Sequence, residues 1–492
     1  MQTRMCPDDM AWEQAEETSD NWLVQCLDVD ILRPIADFVL VYSRGVATEF
    51  AILRKGSYNV LLRLKYRTGA TVIRLSQPGA VFFPEEKVVN EVAVMRFLAD
   101  QTSIPVPFII HSGTKKESSL QLSPFIIMDY IEHETKMYNA LNTPGCPTEE
   151  RGTLDPNISE DKLEMLYRQL ADILLRLSAP SLPQIGSLSQ VDDFTWKVAR
   201  RPLSINMNEL VRLGGLPRSK LPDLHTTFNT ASSYLEALAD LNLEHLIYQR
   251  NDAVESADDC RRKFVARKLF RKLAKDKRLT NPSLEKGPFK IWCDDLRPAN
   301  MLLDEKMQIF GVVDWEFTYA APGIEDWTGV CDNRLKTFLK VMKDSEDIAI
   351  QQGRLTEDQR LSGPMGLSWE NGDFWIMYAV LHSFAFDTIC WQKIDPRFFG
   401  PTESPEEAWK ERIDLLDEEE KDEMERLVAR KLKEMNSRVL AWDPDESGIT
   451  ARSVKQSGPE TMARGPKRRK YQGQTPGHVT ISDKPATTGL SR

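Results

Sequence analysis

The 492-residue chain is 41% hydrophobic and 28% charged, with 28 Pro, 25 Gly and a formal net charge of −10. These values exclude collagen-like, low-complexity and wholly disordered classes and allow up to about three domains or one large two-lobed body. The charge is uneven: residues 451–492 carry nine Lys and Arg against two Asp and Glu, and residues 261–278 ten against one. The remainder is strongly acidic, which makes nucleic acid an unfavourable partner.

No run approaches the roughly 18 apolar residues of a membrane span. Asp8, Asp9, Glu13, Glu16 and Glu17 stand where a secretory signal would place a basic start and an apolar run. The expectation is a cytoplasmic protein with reduced thiols, because the seven cysteines are odd in number, scattered and without a CxxC pair.

Residues 1–45 read as an N-terminal helical extension and residues 46–131 as a sheet-rich lobe. Within the lobe, Phe50 to Leu75 gives three antiparallel strands broken at Lys55-Gly56-Ser57 and Thr68-Gly69-Ala70. Pro84, two following acids and the stripe Val88, Val92, Met95 predict a helix stopped by Pro105 and Pro107. Phe108–His111 and Phe125–Tyr130 complete a five-stranded sheet. Residues 132–443 form a mainly helical second lobe, in which Leu163, Leu166, Tyr167, Leu170, Leu174 and Leu177 recur at helical spacing. The run 261–278 predicts an amphipathic helix with a basic, solvated outer face. From 444 to 492 the composition predicts a disordered basic tail, where Lys467-Arg468-Arg469-Lys470 offers a nuclear-import patch.

The most informative stretch is FKIWCDDLRPANMLLDEKMQIFGVVDWEFTYAAP, residues 289–322. Two apolar strands flank a turn at Asp304-Glu305-Lys306, with a polar loop before the first and Asp314 directly after the second. A hairpin of this kind returns Asp314 to the side of Asp295 and Asn300. One carboxylate near a hydroxyl proton, with an amide and a second carboxylate as oxygen ligands for Mg²⁺, is the equipment of phosphoryl transfer. The six histidines show no metal spacing, so zinc and Ser-His-Asp chemistry lack support.

CDDLRPANMLLD with VVDWEFTYAAP resembles the aminoglycoside phosphotransferase-like family, in particular its large fungal branch. FFPEEKVVNEVAVMRFL, SIPVPFIIHSGT, PFIIMDYI and GDFWIMYAVLHSFAFDTICWQKIDPRFFG extend the resemblance to about residue 443. It implies an α+β, protein-kinase-like two-lobed fold with the nucleotide in the cleft. It further implies Asp295 as catalytic base, Asn300 and Asp314 as Mg²⁺ ligands, and Gly56, Ser57, Arg74, Glu91, Met128, Tyr130 and Arg297 around the nucleotide. The implied activity is Mg²⁺-dependent transfer of the γ-phosphoryl group of ATP, with GTP the other donor, to a hydroxyl of a small molecule.

Departures from the pattern are Cys293 in place of His, Asp294, Trp315-Glu316 in place of Phe-Gly, Arg74 in place of the third-strand Lys, and a short segment after Pro322. Cys293 reads as a packed core thiol, and Asp373 and Asp387 as capping or core hydrogen-bonding groups. Asp294 and the missing A-P-E point away from protein substrates. The alternative reading is a catalytically inert scaffold on the same fold.

Overall fold

The computed structural model describes residues 5–43, 46–146, 154–322, 332–435 and 437–440. The tail expected from 444, its basic patch and the segment after Pro322 lie outside the described residues.

Helices α1 (Asp9–Cys26) and α2 (Val29–Tyr42) precede β1 (Ala47–Lys55), β2 (Asn59–Tyr66), β3 (Gly69–Ser76), α3 (Pro84–Gln101), β4 (Ile109–Gly113) and β5 (Phe125–Asp129). The strands form one antiparallel sheet in the order β1-β2-β3-β5-β4. Strand side chains alternate between faces, so the two faces take different partners. Phe125 and Ile127 pack in a cluster with Trp22, Ile35 and Val39 of α1 and α2. Ile126 and Met128 pack with Val88, Val92 and Met95 of α3.

The second lobe continues with β6 (Thr135–Lys136), α4 (Met137–Leu141), α5 (Glu160–Ser178), β7 (Ser187–Asp192), β8 (Thr195–Arg200), α6 (Ile205–Arg212), α7 (Ala231–Tyr248) and α8 (Ala257–Lys275). Then come β9 (Lys290–Cys293), β10 (Met301–Leu303), β11 (Ile309–Val312) and β12 (Thr318–Ala321), followed by α9 (Asp332–Gln351), α10 (Ser362–Asn371), α11 (Asp373–Leu381), α12 (Phe386–Ile389), α13 (Asp395–Phe399), α14 (Ala408–Arg412) and α15 (Glu418–Glu434). Side chains start the long helices: Ser159, Thr230, Ser256 and Asp417 each accept a backbone N–H of the first turn of α5, α7, α8 and α15. The result is a two-lobed α+β fold.

Two expectations need correction. The β7/β8 hairpin interrupts a stretch expected to be mostly helical, with the turn at Asp193. The basic face of α8 is largely covered rather than solvated: Arg262, Lys263, Arg267 and Lys268 are buried, and only the end of the run from Lys275 to Arg278 is exposed. Several of its cations are matched by acids from far along the chain. Arg261 pairs with Glu425 at 2.7 Å, Lys268 with Glu423 at 2.6 Å and Lys272 with Glu420 at 2.6 Å, so α15 runs antiparallel along α8. Arg267 is bidentate to Asp387 at 2.5 and 3.2 Å. A helix covered on this side holds cations only where each has an acid or carbonyl partner.

Helix α1 touches both lobes. Asp8 caps it through the Ala11 N–H at 3.1 Å and also accepts the Asn251 N–H at 2.9 Å. Met5 and Ala15 sit in the second-lobe core, whereas Trp22 and Cys26 sit against the sheet. Gly79 lies under its middle with φ +77°, where a Cβ would come within 2.3 Å of the Ala15 carbonyl oxygen.

Candidate active site

The strand pairings assemble the site. Cys293, the last residue of β9, is opposite Thr318, the first of β12; Met301, the first of β10, is opposite Val312, the last of β11. Loops 294–300 and 313–317 therefore leave the same end of these ladders side by side. The Val313 N–H donates to the Asn300 carbonyl at 2.9 Å and the Asp294 N–H to the Phe317 carbonyl at 3.3 Å. Asp314 and Phe317 take positive φ, +69° and +54°, which turns the second loop sharply.

Asp295, Asp314 and Glu316 each offer a carboxylate oxygen, and these oxygens lie within 4.8 Å of one another. The Asn300 amide donates to the Asp295 carbonyl at 2.9 Å and to its carboxylate at 3.2 Å, and Arg297 Nε lies 3.0 Å from Asp295 Oδ1. Pro298 opens the short 3₁₀ turn that fixes Asn300.

From the sheet, Arg74 donates to Asp314 Oδ1 at 2.8 Å and forms an ion pair with Glu91 of α3. Six of the expected residues, Arg74, Glu91, Asp295, Arg297, Asn300 and Asp314, thus belong to one compact group. Gly56 and Ser57 lie in the turn from β1 to β2, where the Gly56 N–H meets the Asn59 carbonyl at 2.8 Å. Met128 ends up buried on β5, and the Tyr130 N–H bonds the Ala70 carbonyl at 3.0 Å. Among the described residues these four make no hydrogen bond to the compact group.

Two participants escaped the sequence reading. Glu316 stood inside the motif but registered only as a replacement for Gly. Lys87, buried on α3, pairs with Glu316 at 2.6 Å and donates to Asn59 Oδ1 at 2.8 Å; Asn59 in turn donates to Glu316 at 2.8 Å. The available signal was a Lys four residues before Glu91, next to the apolar stripe of α3.

Burial pushes the Asp295 carboxyl up to about 6, with Arg297 opposing and Asp314 adding to the rise. Asp314 is raised by burial and by Glu316 against the pull of Arg74. At Glu316 burial acts upward, but Lys87 and Arg74 together hold the carboxyl below its ordinary value.

Asp294 points the other way from Asp295. It accepts from the Ile205 N–H at 2.7 Å, Trp292 Nε1 at 2.7 Å and the Tyr319 hydroxyl at 3.0 Å, and burial raises it to about 6. Cys293 is buried, with Sγ 3.9 Å from the Glu316 carbonyl, and burial raises its thiol, as a packed core cysteine requires. Beside this loop lies a cavity of about 980 Å³, lined in part by Asp294, Arg297, Glu209, Tyr378 and His382 and elsewhere mostly by aliphatic and aromatic side chains. Asp387 is held in the core by Arg267, and Asp373 is the first residue of α11, where it pairs with Arg397 and makes no capping hydrogen bond. No helix among the described residues is long and apolar enough to cross a membrane.

A family model described as the phosphotransferase enzyme family matches residues 49–340. The relatives include two proteins named altered inheritance of mitochondria protein 9, mitochondrial. The one from Clavispora lusitaniae is 23% identical over 54% of this chain, and the one from Debaryomyces hansenii 26% identical over 56%. The chain spans about half the length of these relatives, 48% in each case. A solved structure of a thermostable mutant of aminoglycoside phosphotransferase APH(4)-Ia with ADP and hygromycin B is 12% identical, covering 80% of this chain and 98% of its own, with a TM-score of 0.38.

The mitochondrial designation of both relatives overturns the expected cytoplasmic or nuclear placement. The acids from Asp8 to Glu17 belong to the cap and body of the folded α1. With the family match spanning more than half of its length, the chain belongs to the phosphotransferase enzyme family.

Proposed function

We propose that the protein is a phosphotransferase that moves the γ-phosphoryl group of ATP to a hydroxyl of a small molecule with Mg²⁺ as cofactor. The observation that carries this reading is the pairing of Asp295 with Asp314 across two hydrogen-bonded loops, with Arg74 brought to Asp314 from the opposite lobe. The donor set fits a hard divalent cation, because Asp295, Asp314 and Glu316 present only oxygen within 4.8 Å. Asp314 and Asn300, with Glu316 beside them, would hold Mg²⁺, which when bound neutralises phosphate oxygens.

In the transfer, the acceptor oxygen forms a bond to the γ-phosphorus as the bond to the β–γ bridging oxygen breaks, and the hydroxyl proton passes to the Asp295 carboxylate. Burial has brought Asp295 near the operating pH, which suits a general base. Asn300 fixes the rotation of that carboxylate through its amide. Arg74, fixed from α3, adds positive charge on the phosphate side. Gly56 and Ser57 cover the phosphates, and Met128 and Tyr130 border the base; the nucleotide is ATP or GTP.

We place the acceptor in the cavity beside loop 294–300, whose wall includes the neighbours of Asp295 on either side. The corresponding division is residues 1–45 as extension, 46–131 as nucleotide lobe and 132–443 as acceptor lobe. Asp295→Asn tests the reading: turnover with a productive acceptor falls roughly 10²- to 10⁴-fold while nucleotide binding persists. Undiminished turnover removes Asp295 as base. Failure of the wild type to bind Mg·ATP returns the protein to the inert scaffold.

A further inference from the structure

Helix α3 reaches the loop after β11 twice. Glu91 holds Arg74, which holds Asp314. One turn earlier, Lys87 holds Glu316 directly. The second contact is closed into a triangle by Asn59, which accepts from Lys87 and donates to Glu316, so one oxygen of Glu316 receives two donors from two different elements. The Lys87 side chain is 0% exposed and that of Glu316 3%. Burying both charges costs several kcal/mol in desolvation, and apolar side chains fill such positions at no loss of stability. The triangle joins α3, the root of the Gly56 turn and the loop that carries Asp314, three elements that also border the proposed nucleotide.

We propose that Lys87 is a positioning residue. Acting through Glu316, it sets the third carboxylate of the cation cluster, in parallel with the relay from Glu91 through Arg74 to Asp314. This rests on the phosphotransferase reading of the same site. Arg74 is already shared between two acids, so the helix supplies a second cation where the strand supplies one. Partners that orient a ligating carboxylate typically govern metal affinity by 10- to 100-fold, and Lys87 stands in that relation to Glu316.

The test is Mn²⁺ binding to the full chain in the presence of ADP, read from the loss of the free Mn²⁺ electron paramagnetic resonance signal. Wild type is compared with K87M, E316Q and K87M/E316Q. K87M and E316Q are each expected to weaken Mn²⁺ by about 10-fold or more. The double variant should bind within about 2-fold of E316Q alone, as residues acting through one another require. Should K87M not fold, K87Q, which keeps a polar group beside Glu316, takes its place as the single variant, with K87Q/E316Q as the double. Unchanged or tighter Mn²⁺ binding in K87M, or a further loss on adding K87M to E316Q, overturns the inference alone. Wild type that takes up no Mn²⁺ with ADP overturns the phosphotransferase reading and the inference with it.

Discussion

Replacing Arg74 by Met separates what the buried charges do for folding from what they do for binding. The Arg74 side chain is 5% exposed and serves two acids in different surroundings. Glu91, at 0% exposure, cannot rehydrate once its partner is gone, and stranding one member of a buried pair costs about 3–5 kcal/mol. Asp314, at 28%, turns partly to water and adds no more than about 1 kcal/mol. Against a total stability of about 5–15 kcal/mol this loss is large, and at an m-value of about 3 kcal/mol/M it lowers the urea midpoint by about 1–2 M. Arg74→Met with Glu91→Leu exchanges the pair for apolar groups and should recover most of the midpoint, yet leave Mn·ADP binding impaired because Asp314 stays without its guanidinium. A single variant costing under about 1 kcal/mol, or a double variant as unstable as the single, refutes the reasoning.

Other outcomes follow from the same geometry. If Asp295 is the base, kcat/KM falls as pH drops through about 6, where its carboxylate takes up a proton, and this limb disappears in Asp295→Asn. The folded pKa of Asp295 lies above its unfolded value near 3.8, so ionising it opposes folding at pH 7 and that penalty fades as pH falls toward 4. Asp295→Asn should therefore be the more stable protein at pH 7 by up to about 3 kcal/mol, with the gap closing near pH 4 in paired melts. Reversing Glu420, Glu423 and Glu425 to Lys should strip hydrogen-exchange protection from the first half of α15. The end near Lys431, anchored on the Ile247 and Gln249 carbonyls, should keep its protection.

Much of the lobe built on β1 to β5 was legible because its signals are local: Gly-containing turns, alternation and one proline-started helix. Asp295, Asn300 and Asp314 were legible because a single short hairpin brings them together. What stayed hidden depends on contacts between distant residues. Nothing near Lys87 announces Glu316, 229 positions on. Likewise several cations of α8 looked solvated because their acids sit far along the chain, Asp387 for Arg267 and Glu420, Glu423 and Glu425 on α15 for three others. The β7/β8 hairpin has only six residues per strand and little apolar alternation, with Val191 and Phe194 exposed, so the helical periodicity around it prevailed.

Helix α1 has a consequence for how the two lobes can move against each other. Its first turns are tied to the second lobe and its last turns to the sheet, and Gly79 lets the chain pass hard against its midpoint. Fastened at both ends, the helix ties the two lobes together, and swinging them apart like a book would break one of these attachments. Shortening or cutting α1 would therefore loosen the two lobes from each other without touching Asp295, Asn300 or Asp314.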